Sequence, residues 1–214
     1  MLKVPQAAQD AAQAPQRPLA LAALLGQGRG MGRVLFSISV SVDGFFEGPD
    51  RDLSWHRVDE ELHQHFNDES RRVRAFLEGR VTHELMAAYW PTADTDPSSA
   101  PVEKEFAGIW RDMPKVVYST TVSEAGWNGT VAREVDPVAV RRLLDQGDLA
   151  VGGPLLAQTF FRLGLVDEVR LYVHPVVVGA GRRPFADDLS LDLRLDETRA
   201  FGNGVTLLRY AVRR

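Results

Sequence analysis

The stretch Leu149–Leu156, LAVGGPLL, decides the fold of this chain. Three apolar residues end at a pair of glycines, and a proline then opens a second apolar run. The first run predicts a short buried strand. The second predicts a helix, because proline presets the backbone angle of the first helical residue. The pair Gly152-Gly153 either turns the chain or lets a ligand approach the backbone closely.

Strand and helix patterns alternate on both sides of this stretch. Apolar alternation and short apolar runs predict strands, whereas spacings of three or four residues between caps and breakers predict helices. The predicted strands are residues 33–42, 74–78, 115–120, 130–135, 149–151, 168–178, 189–198 and 205–212. The predicted helices lie within residues 57–77, 82–89, 102–112, 137–146 and 154–163. This order indicates an α/β fold with a mixed, mainly parallel sheet, helices on both faces and an antiparallel C-terminal edge.

Composition excludes several function classes. The 214 residues suffice for one sizeable domain, and a net charge of −4 argues against a nucleic-acid partner. The chain has no cysteine, which excludes disulfides and thiolate sites and fits a reducing cytoplasm. No apolar run approaches the ~20 residues of a membrane helix, so no membrane partner is expected.

The first thirty residues differ from the rest of the chain. They are rich in Ala, Gln, Pro and Gly and contain no aromatic residue. They predict a disordered extension rather than a signal peptide, because no small-residue cleavage site follows the short apolar piece Leu19–Leu25. Alternatively, Met31 is the natural start. Residues 31–214 are expected to form a single domain.

Three breaks fall at the ends of predicted parallel strands, where ligands of open α/β sheets lie. They are Gly79-Arg80-Val81-Thr82, Ser119-Thr120-Thr121 and Gly152-Gly153-Pro154. Helix N-termini offer unpaired N–H groups to phosphate, and arginine adds a charged fork. Each break alone is better explained as an ordinary turn or a solvated cation. Their conjunction at one sheet edge favours a phosphate or pyrophosphate site.

Four segments resemble, in order, the dihydrofolate reductase-like superfamily. They are RVLFSISVSVDGFFEGPD (residues 33–50), FLEGRVTHELMAAYWP (76–91), KVVYSTT (115–121) and LAVGGPLLAQTFFRLGLVDEVRLYVHPVVVGAGRRPF (149–185). The chain looks most like the branch related to the reductase half of the bacterial riboflavin deaminase–reductase, over about residues 33–212. The resemblance implies the three-layer dihydrofolate reductase-like fold and NADPH as cofactor. It also implies hydride transfer to a pyrimidine- or pterin-type substrate, such as 5-amino-6-(5-phosphoribosylamino)uracil.

The resemblance further implies which residues contact NADPH. Those expected at the adenosine phosphates, including the 2′-phosphate, are Gly79, Arg80, Thr82, Ser119 and Thr120. The glycine pair is expected at the pyrophosphate and nicotinamide ribose, often through a cis peptide. The other cofactor-binding candidates beside Gly152 and Gly153 are Ser39, Val40, Phe46, Gly48, Pro154 and Leu155.

Two features depart from the family pattern. Glu78 and His83 replace an apolar and an aromatic residue around the second break, and a carboxylate facing the site would repel an anionic cofactor. The Asp-Pro-x-Leu segment of the riboflavin enzyme is missing, because LMAAYWPTADTDP stands in its place. The chain therefore lacks this part of the riboflavin enzyme's substrate signature.

The candidate catalytic carboxylates follow from the same resemblance. Dihydrofolate reductases place a carboxylate a few residues after a tryptophan, which points to Asp59 and Glu60 after Trp55. Asp43, in the loop expected to cover the nicotinamide, is a third candidate. Acidic residues at a helix start are equally explained by the helix dipole. Trp55 either stacks on the substrate ring or packs as a large apolar residue.

The remaining predictions concern metals, partners and function. Histidines 56, 63 and 65 include no i, i+4 pair, so no metal site is expected. The long strand 168–178 is expected to pair across a two-fold axis in a homodimer. The partner class is a small-molecule substrate. An NADPH-dependent reductase stands beside two alternatives: a catalytically silent NADPH-binding module and a true dihydrofolate reductase.

Overall fold

The computed structural model describes residues 32–213, which are built around an eight-stranded sheet. The strands are β1 Val34–Ser41, β2 Ala75–Gly79, β3 Lys115–Tyr118, β4 Gly129–Ala132, β5 Leu149–Gly152, β6 Glu168–His174, β7 Leu193–Ala200 and β8 Thr206–Val212. Their order in space is β4-β3-β2-β5-β1-β6-β8-β7. The extension predicted for residues 1–30 lies outside the described residues.

The predicted fold class is confirmed by the strand directions. The six strands from β4 to β6 run parallel. Strand β8 runs antiparallel to β6, and β7 antiparallel to β8. Parallel neighbours need a crossover, and the helices before residue 168 lie in those crossovers, whereas β7 and β8 are joined by a short turn.

Between residues 32 and 213, five α-helices cover the sheet: α1 Glu60–Arg72, α2 Arg80–Tyr89, α3 Pro101–Asp112, α4 Pro137–Leu144 and α5 Pro154–Arg162. Helix α1 begins where the Asp59 carboxylate accepts a hydrogen bond from the Leu62 N–H at 2.9 Å. Asp136 caps α4 in the same way before Pro137. None of the helices between residues 32 and 213 is long and apolar enough to cross a membrane.

Alternating side chains of β1 separate two layers of the molecule. Val34 and Phe36 are fully buried in a core shared with α4 and α5. Leu35 points to the opposite face, where it packs with Phe106 and Trp110 of α3. On that same face the next alternate residues are Ser37 and Ser39, so the core is interrupted there.

The sixth strand is shorter than predicted and ends at His174, because Pro175 has no N–H to continue the ladder. It lies between β1 and β8, so neither of its edges is free to pair across a two-fold axis. The strand-pairing basis of the predicted dimer is therefore wrong. The homodimer itself stays a prediction, and it has to use another surface, such as an outer edge at β4 or β7.

Candidate active site

A notch in the sheet lies beside the carboxyl end of β5. Strand β1 pairs with β5 only from Val34 to Phe36, but it pairs with β6 as far as Ser41. Beyond Phe36 none of the described strands flanks β1 on the β5 side. Backbone groups of β1 therefore border an open space where ligands of α/β sheets bind.

The two glycines at the end of β5 differ in what requires them. Gly153 has φ +93°, and a Cβ there would collide with Thr82 Oγ1. The fold itself therefore requires glycine at 153. A Cβ on Gly152 would meet Thr82 Cγ2 at 3.5 Å and Glu78 Cγ at 3.6 Å, which is ordinary contact. The protein itself leaves room for a side chain at position 152. The absence of a side chain there is therefore not required by the fold, and a ligand that approaches the backbone would explain it.

The cis peptide that the resemblance associates with this pair is absent, because all peptide bonds of residues 32–213 are trans. That part of the expectation is wrong for this chain. The bend after β5 is instead produced by the positive φ of Gly153, which only glycine adopts without strain.

The N-termini of α2 and α5 meet at the notch. Gly79 and Gly153 precede these helices, and neither has a side chain that caps the first turn. The ends are close, because a Cβ on Gly79 would lie 3.6 Å from Leu156 Cβ. Two sets of unpaired N–H groups therefore point to one region, which suits an anion.

A cavity of about 400 Å³ borders the start of α5 and contains three of the predicted cofactor residues, Phe46, Pro154 and Leu155. Val40 and Gly48 are buried nearby in the first strand and its loop. Asp43 belongs to this loop and accepts hydrogen bonds from the N–H groups of Val178 (3.1 Å) and Gly179 (2.7 Å). A hydrogen bond from Ser41 and these N–H groups lower the pKa of Asp43 to about 2. Asp43 therefore ties two loops together, and its low pKa does not favour a role as proton donor, so its catalytic role stays a prediction.

A second cavity, of about 560 Å³, gathers the predicted phosphate-binding residues Arg80, Ser119 and Thr120. Arg80 is half exposed and pairs with Glu84 at 2.7 Å. Ser119 Oγ accepts the N–H groups of Thr121 and Val122, so it shapes the loop.

The sequence reasoning missed a second cation in this cavity, Arg133. Its guanidinium donates to the carbonyl oxygens of Ser119 (2.9 Å) and Val122 (2.7 Å). The sequence places it inside the strand predicted for residues 130–135, whereas the observed β4 ends at Ala132 and leaves Arg133 in the loop that follows. Glu134 also lines the cavity, so its charge is mixed rather than uniformly positive.

Glu78 and His83, the two residues that depart from the family pattern around the second break, pair with each other. Glu78 is buried, and its carboxylate lies 2.8 Å from His83 Nδ1, while His83 Nε2 lies 2.8 Å from the Ala125 carbonyl. The Glu78 hydrogen bond raises the pKa of His83. Buried Lys115 holds the same loop, since its ammonium donates to the Trp127 carbonyl at 2.9 Å. Glu78 is thus neutralised inside the protein and does not face the phosphate cavity.

A third cavity, of about 730 Å³, lies over β1 on the face opposite α4 and α5. Its floor includes Ser37 and Ser39, flanked in register by Arg170 and Tyr172 of β6. Ser37 is more than a third exposed although β1 is a central strand, because no helix covers it. The roof includes Phe66 of α1, Trp90 after α2 and Phe106 of α3.

The predicted substrate-side residues lie outside this cavity. Asp59 uses its carboxylate to cap α1, and Glu60 borders a separate surface depression with Glu61 and Arg199. Trp55 packs edge-on against His174, with ring centroids 5.6 Å apart, and its indole N–H donates to the Asp52 carbonyl. Asp59 and Glu60 stand about one helical turn before the residues of α1 that border the cavity, and Trp55 precedes the helix. The geometry therefore does not favour their substrate-side roles, which stay predictions.

Of the polar groups that line the cavity, Ser39 was predicted, as a cofactor residue, and most of the others were missed. Those missed include Ser37, His56, His63, Glu69, Ser70, Glu103 and Arg170. His63, Phe66 and Ser70 share one face of α1, a period that the sequence displayed. The pattern could not show that this face borders a cavity rather than a filled core. No group of three or more metal-ligating side chains is found between residues 32 and 213.

Comparisons with known proteins identify the family of this chain. The family model described as the RibD C-terminal domain matches residues 33–207. A curated relative, the uncharacterized protein YyaP of Bacillus subtilis, is 32% identical over 184 residues, covering 83% of this chain and 94% of the relative.

Two solved structures show the same fold at low identity. A putative riboflavin biosynthesis protein from Shewanella has a TM-score of 0.64 at 20% identity, covering 85% of this chain and 99% of that one. A dihydrofolate reductase from Enterococcus faecalis, complexed with NADP(H), has a TM-score of 0.58 at 12% identity, covering 86% and 98%. The chain therefore has the dihydrofolate reductase-like fold and belongs to the RibD C-terminal domain family.

Proposed function

We propose that this chain is an NADPH-dependent reductase that transfers a hydride to a pyrimidine- or pterin-type ring. The model for this activity is 5-amino-6-(5-phosphoribosylamino)uracil reductase, which the resemblance implies. One observation carries the proposal. The side chain of Ser39 lines the 730 Å³ cavity, while the β5 side of the same strand borders the notch at Gly152. A cofactor in the notch and a ring in the cavity would share this strand, which is the proximity that hydride transfer needs.

The donor groups around the notch fit a dinucleotide phosphate. The first turns of α2 and α5 supply backbone N–H groups, and Gly152 leaves space that a Cβ would fill. Arg80 and Arg133 lie in the adjacent cavity with Ser119 and Thr120, where they would hold a 2′-phosphate. When bound, the nicotinamide supplies the hydride.

The protein's own groups would bind the ring and exclude water. Ser37 and Ser39 offer hydroxyls at the floor, and the aromatic roof of Phe66, Trp90 and Phe106 can cover a planar ring. The two carboxylates of the cavity are engaged within the protein: Glu69 pairs with Arg170, and Glu103 accepts a hydrogen bond from the Ala100 N–H at 2.7 Å.

One argument for the alternative, a catalytically silent nucleotide-binding module, no longer holds. It was that the Glu78 carboxylate would repel the cofactor, but Glu78 is paired with His83. A spacious aromatic cavity beside the notch also favours a reaction over mere binding. Dihydrofolate reductase activity stays the second alternative and rests on the shared fold.

Calorimetric titration with NADPH and NADH tests the cofactor, and deuterium transfer from 4-deuterated NADPH to a panel of pyrimidine and pterin acceptors tests the reaction. We expect NADPH to bind and deuterium to appear in a product. Failure to bind either nucleotide overturns the proposal. Binding without transfer to any acceptor favours the silent module.

A further inference from the structure

We infer that the large cavity takes an uncharged planar ring compound that carries neither a phosphate nor a carboxylate tail. The inference rests on the proposed function and narrows its substrate class. It separates this chain from enzymes whose substrate bears a phosphoribosyl group, and also from a reductase of dihydrofolate, whose tail carries carboxylates.

The charged side chains that line the cavity leave no free cation. Within residues 32–213 they are Glu69, Glu103 and Arg170. Arg170 is the single cation among them, and it is buried between two carboxylates. Its Nε donates to Glu168 at 2.6 Å, and its Nη1 pairs with Glu69. A phosphate would have to break these ion pairs before Arg170 could bind it.

The two histidines of the cavity do not supply a positive charge either. Burial lowers the pKa of both His56 and His63 below the ordinary value of 6.5. The imidazoles are therefore neutral near pH 7, and the lining residues sum to a net negative charge. An anionic group entering this space would meet the Glu103 carboxylate, whose hydrogen-bond donors, the Ala100 N–H and the Tyr89 hydroxyl, carry no positive charge to offset the repulsion.

The rest of the lining is apolar and aromatic. Leu53, Val58, Phe66, Met86, Trp90 and Phe106 surround the space, and the polar side chains that β1 contributes are the hydroxyls of Ser37 and Ser39. Ligand cavities are typically about 300–1,000 Å³, so this one suits a ring system with one modest substituent. Aromatic walls with a few hydroxyls recognise a flat, neutral ring through stacking and one or two hydrogen bonds.

The contrast with the neighbouring phosphate cavity strengthens the inference. Arg80 is half exposed at that cavity, and Arg133 is exposed there. Neither guanidinium is enclosed between two carboxylates. This chain therefore builds an anion site for the cofactor and none for the substrate.

Riboflavin and flavin mononucleotide form a matched probe pair, because they share the same planar ring system and differ by a single phosphate. Equilibrium dialysis of each probe is done in two formats, both of which prevent the probe from binding at the phosphate cavity. In the first, the full chain is saturated with NADP⁺. In the second, the Arg80→Ala variant is used without nucleotide. We expect riboflavin to bind at least about tenfold more tightly in both formats. Ala150→Leu, which fills the cavity floor, should abolish that binding.

Glu103→Gln tests the charge argument directly. The amide can still accept the Ala100 N–H that caps α3, so the helix start is kept. Loss of one negative charge should tighten the binding of flavin mononucleotide several-fold and leave the affinity for riboflavin nearly unchanged. Equal or tighter binding of the phosphorylated probe by the wild type, or binding of neither probe, overturns the inference. If NADP⁺ itself fails to bind, the proposed function fails, while the Arg80→Ala format still tests the cavity.

Discussion

Alanine substitutions at the two adjacent glycines should separate folding from cofactor binding. Gly153 has φ +93° and ψ 125°, and a Cβ there would collide with Thr82 Oγ1. Such a backbone conformation costs a non-glycine residue about 1–3 kcal/mol. For a domain of this size, each kcal/mol lowers the Tm by roughly 2–4 °C. Gly153→Ala should therefore lower the Tm by several degrees, with or without cofactor.

Gly152→Ala is the matched control, because its Cβ would make only ordinary contacts of 3.5 and 3.6 Å. Its stability should lie within about 1 kcal/mol of the wild type. If a pyrophosphate approaches this backbone, the same methyl group should weaken NADPH binding by about tenfold or more.

Thermal scans and calorimetric titration of both variants provide the assay. An unchanged Tm for Gly153→Ala would refute the backbone argument. An unchanged NADPH affinity for Gly152→Ala would refute the close approach of the cofactor and leave the pair as a turn.

Three further predictions concern charge and pH. Arg80→Ala should weaken the binding of NADPH far more than that of NADH, as measured by calorimetry, even though Arg80 has to break its ion pair with Glu84 to bind a phosphate. Equal losses of affinity for the two nucleotides would contradict a 2′-phosphate site. Glu78 raises the pKa of His83, so the stability from this pair is present below pH 6.5 and is lost as the pH rises through the raised pKa. Glu78→Gln should thus lower the Tm most in mild acid, and a pH-independent difference would exclude this linkage. Burial lowers the pKa of His174 from 6.5 to about 4, so wild-type stability should fall as the pH falls across this interval, because the unfolded chain binds the proton first. His174→Asn, which can still accept the Arg57 N–H, should flatten that slope in thermal scans, and an unaltered slope would count against it.

The alternation of patterns along the chain was enough to predict the fold class, because helical and strand periods are local properties of the sequence. Pro137 and Pro154 each stand at the start of a helix as predicted. The end of β6 was missed by four residues, since apolar residues continue past Pro175 although the ladder does not.

The candidate phosphate residues were likewise predictable, because loops after parallel strands meet at one edge of the sheet. Arg80, Ser119 and Thr120 do line one cavity. The substrate side was not predictable, because a carboxylate near a helix start, such as Asp59, caps the helix or faces a ligand according to the rotation of that helix against its neighbours.

The sequence by itself determined the succession of strands and helices along the chain and the breaks at the strand ends, since these depend on backbone preferences and local spacing. Only the tertiary structure decided that Glu78 pairs with His83 and that Arg170 lies between Glu69 and Glu168. It also decided that the serines of β1 lie beneath an open cavity. Those outcomes depend on contacts between residues far apart in the chain, which no local pattern specifies.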